Sequence, residues 1–589
     1  MAIRSASASP DLRDPDRPAR RLLGRAHHAR GRWTFDPARR WRGGPRELTW
    51  TGRLTPEDGD YCIAEVPDEG PAHLVEVLGA EDRPEWDDHA VASQFRLRTR
   101  FPGPALAEAE AFGPPGAAER RGRRDLRGQL TFTIDPEDAR DHDDALSVGA
   151  AGPDRWEVGI HIADVSHYVA SGSALDREAE RRGTSVYLPG GVVPMLPEKL
   201  SADLCSLRPD LDRLALSAVV TLDARGELHA CRFEQTVIRS RYRLAYGQVQ
   251  EALEGRTLLP RDLQQALESL RLLARALRSR RLALGALELE VPEVKAWVDA
   301  SGRQARVERR PHLESHELIE EFMLLANRCV GGEGAQRRGG LLYRIHEAPA
   351  EPKLAELDLM LRALGLPRLG HPLDPARALQ SVLRAPLDPK RRRLIHRLVL
   401  RALMRARYLD RDRGHFGLAT RGYCHFTSPI RRYPDLHNHR RVREWILGRP
   451  SAAWDPDALQ RLAERCSATE QNATEAEREA VKVKGMRVLE ARLGEEASGI
   501  ITGFVPQGFF VELDDDPVEG FVRVAHVLDD HFRLDLAGVR MTGQRTRRRF
   551  SLGDPVRVII ARVDVPAREC DLGLWVPERR RGRRHHGRG

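Results

Sequence analysis

The segment TIDPEDARDHDDA, Thr133–Ala145, carries six acidic side chains and a single Arg, in a chain of formal net charge +9. Carboxylates at this density repel one another, so they need a compensating charge or open water. The stretch TFTI alternates like a short strand, and Pro136, without an N–H, cannot continue a central one. The aspartates therefore leave a strand end on a loop, where short, stiff side chains can converge. Asp135, Asp141, Asp143 and Asp144 could hold a hard cation such as Mg²⁺ through oxygen, leaving positions for water and phosphate. Such an ion cancels the repulsion, polarises a phosphoryl oxygen and acidifies bound water. Glu137 and Asp138 read as supporting or solvated residues. A solvated acidic loop is the plain alternative; a calcium loop of EF-hand type lacks its central Gly and final Glu.

A second segment, HFTSPIRRYPDLHNHR, sets Arg431, Arg432, His437, His439 and Arg440 beside Thr427 and Ser428. Guanidinium groups grip phosphates bidentately, although an ordinary basic surface reads the same way. An acidic metal loop and a basic phosphate loop in one domain suggest phosphodiester hydrolysis. His161 and His167, in a strand-like stretch, read as structural.

The elements that must position these residues follow from pattern. Residues 1–22 are polar and read as a disordered segment. Residues 23–100 hold short alternating runs (GRWTFD, ELTWTGRL, DYCIAEV) between turns, which suits a small OB or cold-shock type barrel. Residues 101–123 read as a Pro- and Ala-rich linker ending in a basic run. Residues 124–448 form one large α/β unit with no internal linker, and 449–492 a charged helical connector. Residues 493–575 return to β alternation, and 576–589 form a basic disordered tail. The expected fold class is multidomain and mixed: a large α/β (α+β) domain flanked by small all-β barrels.

Arg dominates the basic residues, which favours phosphate partners; a GC-rich genome would leave the same bias. The seven cysteines form no CxxC pair, which argues against a disulfide framework or zinc knuckle and for a reducing cytoplasm. The N-terminus has no apolar core of a signal peptide, and no apolar run reaches the ~18 residues of a membrane span. We therefore expect a cytoplasmic protein with a polyanionic partner, no membrane association and no disulfide-linked partner; protein partners are not legible.

The motifs TIDPEDARDHDDA, VGIHIADVSHYV, GTSVYLPGGVVPMLPEKLSADLCSLRPDLDRLALS and HFTSPIRRYPDL, in that order, resemble the RNB catalytic domain of the ribonuclease II/ribonuclease R family. The likeness runs from about Arg124 to Gly448 and leans towards the ribonuclease R branch, without a clear helix-turn-helix extension before it. GIITGFVPQGFFVEL resembles the opening of an S1-type OB barrel, and the N-terminal β block resembles a shortened cold-shock region. The resemblance implies a processive 3′→5′ exoribonuclease of RNA degradation, which hydrolyses single-stranded RNA to nucleoside 5′-monophosphates with Mg²⁺, or Mn²⁺ as substitute. It implies that Asp135, Asp141, Asp143 and Asp144 are the catalytic, metal-holding aspartates and that Arg431 holds the scissile phosphate. Tyr187 matches a base-stacking aromatic; Tyr246 and Glu320 match contacts to the terminal nucleotides and their ribose. Leu289 stands where the family places a second clamping aromatic, which puts the final product length in question. In the S1-type barrel, Phe504, Phe510, Phe532 and His526 are candidates for a stacking platform with Arg523. Adjacent Phe509 and Phe510 must face opposite ways. The competing reading is a non-catalytic RNA-binding protein on an RNB scaffold, against which the complete aspartate set and Arg431 argue. A DNA exonuclease has no motif support.

Overall fold

The computed structural model describes residues 19–39, 44–52, 54–290, 292–299, 305–337, 339–369, 374–449, 455–526 and 530–575. Of the disordered ends expected at 1–22 and 576–589, residues 1–18 and 576–589 lie outside the described residues. At the N-terminus Arg20–Ala29 is already a strand, so Arg20–Leu22 belong to folded chain. It joins Arg32–Pro37, Arg46–Thr49, Ala72–Gly79 and Tyr61–Val66 in a closed five-stranded barrel. Alternation turns Ala26, Phe35, Cys62, Ala64 and Ala72 fully inward. The barrel ends at Gly79, and a helix, Asp87–Gln94, follows it.

The stretch read as a linker is part of the large unit. Helix Gly103–Glu110 buries Ala105 and Ala109 in the same core as Leu175 and Ala179. The basic run is likewise absorbed. Arg120 pairs with Asp212 at 2.8 Å, and Arg123, almost fully buried, pairs with Asp164 at 2.6 Å. Their partners lie 92 and 41 residues away, so local charge counting could not find them.

The large unit is built on a seven-stranded mixed sheet. Its order is Tyr242–Ala245, Phe132–Asp135, Asp144–Ala150, Arg155–Ala163, Asp212–Asp223, Leu228–Arg239, Arg124–Asp125. Helices Arg261–Ala283 and Glu314–Arg337 supply Leu267, Leu270, Phe322 and Ala326 to a core shared with Phe132, Ile160 and Leu216 of the sheet. A second core joins Val165, Leu175 and Leu214 to Tyr433 and Leu436 of helix Tyr433–Ile446.

Within the expected helical connector runs one 35-residue helix, Pro456–Glu490. Asp455 caps it by accepting from the Asp457 N–H at 3.0 Å, with Pro at the first position. Its first half buries Leu459 and Cys466 in the large unit, and its second half buries Ala480 and Met486 against the C-terminal barrel. Lys484 and Arg487 pair with Asp87 at 2.9 Å and fasten the segment after the first barrel to the same helix. The C-terminal barrel closes from Glu496–Val505, Gly508–Leu513, Glu519–Arg523, Glu569–Leu574 and Pro555–Asp564. A rod of about 50 Å at ~1.5 Å per residue thus holds two barrels and the large unit in register. Among the described residues, no helix is long and apolar enough to cross a membrane, and all seven cysteines are free thiols.

His161 sits at the centre of the sheet with no exposure, hydrogen-bonded to Ser147 Oγ at 2.9 Å and Ser217 Oγ at 2.8 Å. Burial pushes its pKa down to about 4 from an ordinary 6.5. The fold therefore favours neutral imidazole. That stabilisation is complete above pH 6.5 and is lost as pH falls towards 4, by about 3 kcal/mol. Urea unfolding of the protein and of His161→Gln between pH 7.5 and 4 is expected to show this difference shrinking with acid; a pH-independent difference would contradict it.

Candidate active site

The site lies where parallel strand ends gather. Phe132–Asp135 runs parallel to Tyr242–Ala245 with Asp135 opposite Ala245, so Asp135 and Tyr246 leave the sheet side by side. Asp144 opens the adjacent antiparallel strand, and the acidic loop spans the gap. The loop is stapled from outside. The His142 N–H donates to Ser206 Oγ at 3.0 Å, and Leu207 N–H donates to the His142 carbonyl at 2.9 Å. Arg213 donates to the Ser206 carbonyl at 2.9 Å, which fixes the staple in turn.

Each aspartate has a distinct environment. His142 Nδ1 lies 2.8 Å from Asp135 Oδ2, and Tyr187 O–H donates to Asp141 Oδ2 at 3.1 Å. Asp143 is buried; its Oδ1 accepts from Ile430 N–H at 2.8 Å, while its Oδ2 has no hydrogen-bond partner and lies 3.7 Å from Arg431 Nε. Burial drives the Asp143 carboxyl well above the usual carboxylate range against the pull of Arg431, and Asp141 and Asp144 add to the rise. Asp144 is pushed up to about 8 by burial and by Asp135. These are carboxylates short of positive charge.

Arg431 is placed through its backbone. Helix Ala174–Arg182 ends at Gly183, with φ +69°, where a Cβ would come within 2.0 Å of Thr469 Oγ1. The next two residues, through Thr184 Oγ1 and Ser185 N–H, donate to the Arg431 carbonyl at 3.0 and 2.9 Å. Two residues on, Tyr187 reaches Asp141. A single loop therefore links the basic and the acidic segments.

The rest of the expected phosphate grip is not a grip. Arg432 is paired with fully buried Asp435 at 2.7 Å, and Arg440 with Asp176 at 2.6 Å. His437 and His439 donate to the Gly340 and Phe426 carbonyls at 2.9 and 2.6 Å. Thr427 and Ser428 are buried. Helix Tyr433–Ile446 is internal, so its charges are consumed by the fold. Arg431, with 43% of its side chain exposed, is the member of the set that faces outward.

Tyr246 stacks on His316 with ring centroids 4.0 Å apart and planes at 14°, leaving its other face uncovered by this pair. His316 in turn stacks on His312 at 5.5 Å, and Glu320 lies 3.7 Å from His312. Leu313 N–H donates to His316 Nδ1 at 3.1 Å, which requires a neutral ring; burial, aided by Arg310, lowers its pKa to about 4. Sequence reading missed His142, His312 and His316. The His316/Glu320 spacing of four on one helix was a usable signal. Leu289 is half-buried against the cluster of Leu361, Leu379 and Val399, so it is a packing residue. Glu137 is exposed, and Asp138 pairs with Lys295 at 3.1 Å.

In the C-terminal barrel Phe509 is fully buried, and half-buried Phe510 meets Phe521 at 5.0 Å, with Arg523 over the Phe521 ring. Phe504 packs between two cores, and Phe532 meets buried Phe550. Of the expected aromatic candidates, Phe510 is thus the one that pairs with Phe521, a residue not foreseen. His526 ends a short 3₁₀ turn, but its side chain lies outside what the structure describes.

Among the described residues, no three His, Cys, Asp or Glu side chains close around a single metal-binding point. His142, Tyr187 and Ile430 each engage one of the aspartates, Asp135, Asp141 and Asp143 in turn. The orphaned Asp143 Oδ2 and the raised Asp144 nonetheless fit a hard divalent cation, which would supply the missing charge and draw the carboxylates together.

Residues 123–448 match the family model described as RNB domain, and residues 490–574 that described as S1 RNA binding domain. A protein named ribonuclease R from Aquifex aeolicus is 37% identical over 497 residues, 83% of this chain and 70% of that one. Its namesake from Vibrio cholerae is 35% identical, covering 90% and 67%. That from Escherichia coli is 36% identical, covering 78% and 58%. The chain thus spans about two thirds of the length of these relatives. The fold matches Mycoplasma genitalium RNase R in complex with ribose methylated single-stranded RNA, with a TM-score of 0.85, 24% identity and coverage of 95% and 90%. It also matches yeast Ssd1, described as a pseudonuclease, with a TM-score of 0.72, 21% identity and coverage of 90% and 68%. At these identities the structural likenesses concern the fold alone.

Proposed function

Since the chain belongs to the RNB family, in its ribonuclease R branch, and is a 3′→5′ exoribonuclease dependent on a divalent metal, we propose that it degrades single-stranded RNA processively to nucleoside 5′-monophosphates with Mg²⁺, which Mn²⁺ can replace. The observation that carries this reading is Asp143, a buried carboxylate with an unpartnered oxygen beside an outward-facing arginine.

Asp135, Asp141, Asp143 and Asp144 would hold the ion. When bound, it supplies Lewis acidity to the phosphoryl group and an acidified water. Arg431 then stabilises the charge that builds on the phosphoryl oxygens. Tyr246, backed by His316, offers its uncovered face to a terminal base. Glu320 can accept from a ribose hydroxyl, the group that separates RNA from DNA. Tyr187 donates its O–H to Asp141 at 3.1 Å, so its ring is tied to one of the carboxylates that would hold the ion. The Phe510–Phe521 face binds the strand before it reaches the aspartates. Seven free thiols favour a reducing, cytoplasmic setting.

The test is incubation of the purified protein with 3′-tailed single-stranded RNA. Monophosphate release in Mg²⁺, and none in a chelator, is the expected result; intact RNA in both Mg²⁺ and Mn²⁺ refutes the nuclease reading. A second readout is independent of activity. Saturating Mg²⁺, at about 100 times its dissociation constant, is expected to stabilise the protein by about 3 kcal/mol in thermal unfolding. No shift would contradict a divalent site.

A further inference from the structure

A groove of about 350 Å³ lies on the C-terminal barrel, beside strand Pro555–Asp564. It falls in the range of ligand clefts, about 300–1,000 Å³. Its lining is basic and aromatic: Arg548, Arg549 and Arg557 with Phe550 and Trp575. The Arg557 guanidinium lies 4.2 Å from the Trp575 ring centre, and Arg548 lies 5.1 Å from that of Phe550. The Trp575 N–H donates to the Arg557 carbonyl at 3.0 Å, which fixes the pair. Arg557 is also paired with Glu496. Among the described residues, Arg548 and Arg549 have no carboxylate partner. Asp554, the acidic residue in the lining, gives one oxygen to the Ser551 N–H at 2.7 Å.

Two uncompensated guanidiniums want phosphates, and a guanidinium stacked on indole presents a flat cation on which a base can stack. A protein or lipid partner would need no such combination. The groove is also separate from the Phe510–Phe521 face, because strand Glu496–Val505 intervenes between Gly508–Leu513 and Pro555–Asp564. We propose that this groove is a second binding surface for single-stranded RNA, engaging the strand on the 5′ side of the segment that enters the aspartate site. This rests on the nuclease reading for the identity of the strand.

The test compares poly(A) with a tetranucleotide whose 3′ end occupies the aspartate site. In the double variant Arg548→Glu/Arg549→Glu, poly(A) affinity is expected to fall about tenfold, with a log–log salt slope shallower by about 1.4 for two lost phosphate contacts. Tetranucleotide hydrolysis should be unchanged. Trp575→Ala should weaken poly(A) binding and Trp575→Phe restore it. If the double variant misfolds, the Trp575 pair decides. Unchanged poly(A) affinity and salt slope in a folded double variant, or no difference between Trp575→Ala and Trp575→Phe, overturns the proposal. Failure of the parent to cleave RNA while these binding effects persist would refute the nuclease reading and leave the groove standing.

Discussion

Asp143→Asn is expected to lower the hydrolysis rate by about 10³-fold while leaving RNA affinity nearly unchanged. The substitution keeps the acceptor for Ile430 N–H and the side-chain shape, so the 428–431 loop stays in place. It removes the negative charge at the buried oxygen that faces Arg431. The loss is therefore in the transition state, read as kcat falling with KM little changed. Stability should move the other way. The Asp143 carboxyl is raised by burial, so its ionised form strains the metal-free fold at neutral pH. In a chelator the Asn variant should melt higher than the parent, and it should lose most of the stabilisation by Mg²⁺. A variant that retains a tenth of parental activity, or that melts lower in chelator, would remove Asp143 from the role given to it.

The second large effect separates two neighbouring arginines. Arg431→Ala should reduce kcat by about 10²–10³-fold with the melting temperature kept. Its backbone is held by Thr184 and Ser185 whatever the side chain is, and among the described residues its guanidinium makes a 3.1 Å bond to Ser428 Oγ and the 3.7 Å approach to Asp143. Arg432→Ala should instead destabilise the fold by about 3–5 kcal/mol, because Asp435, with no exposure, is left as an uncompensated buried charge. Kinetics and thermal unfolding of the two variants side by side check this. Matching losses of rate without destabilisation would show that both side chains face the substrate.

The acidic segment and the two β-rich flanks were legible because their signals are local. Strand alternation has a period of two, Pro136 stops a strand wherever it falls, and six carboxylates in thirteen residues declare themselves. The pairs Asp374-Pro375, Asp388-Pro389 and Asp455-Pro456 each start a helix by one mechanism, an aspartate accepting from the first N–H groups, a local signal that the sequence reading did not use.

What the sequence by itself determined, then, was which segments carry the chemistry and which local elements bear them. The tertiary structure decided which charges are available to do it. RRYPDLHNHR looks predominantly basic, yet Arg440 is spent on Asp176 and His437 on Gly340, 264 and 97 residues away. The basic run before the sheet is spent on Asp164 and Asp212 in the same way. A buried ion must find its partner across space, and that partner can lie anywhere in the chain. Arg431 faces outward only because helix Tyr433–Ile446 buries the residues after it while Thr184 and Ser185 pin its carbonyl, a geometry no spacing in the sequence encodes.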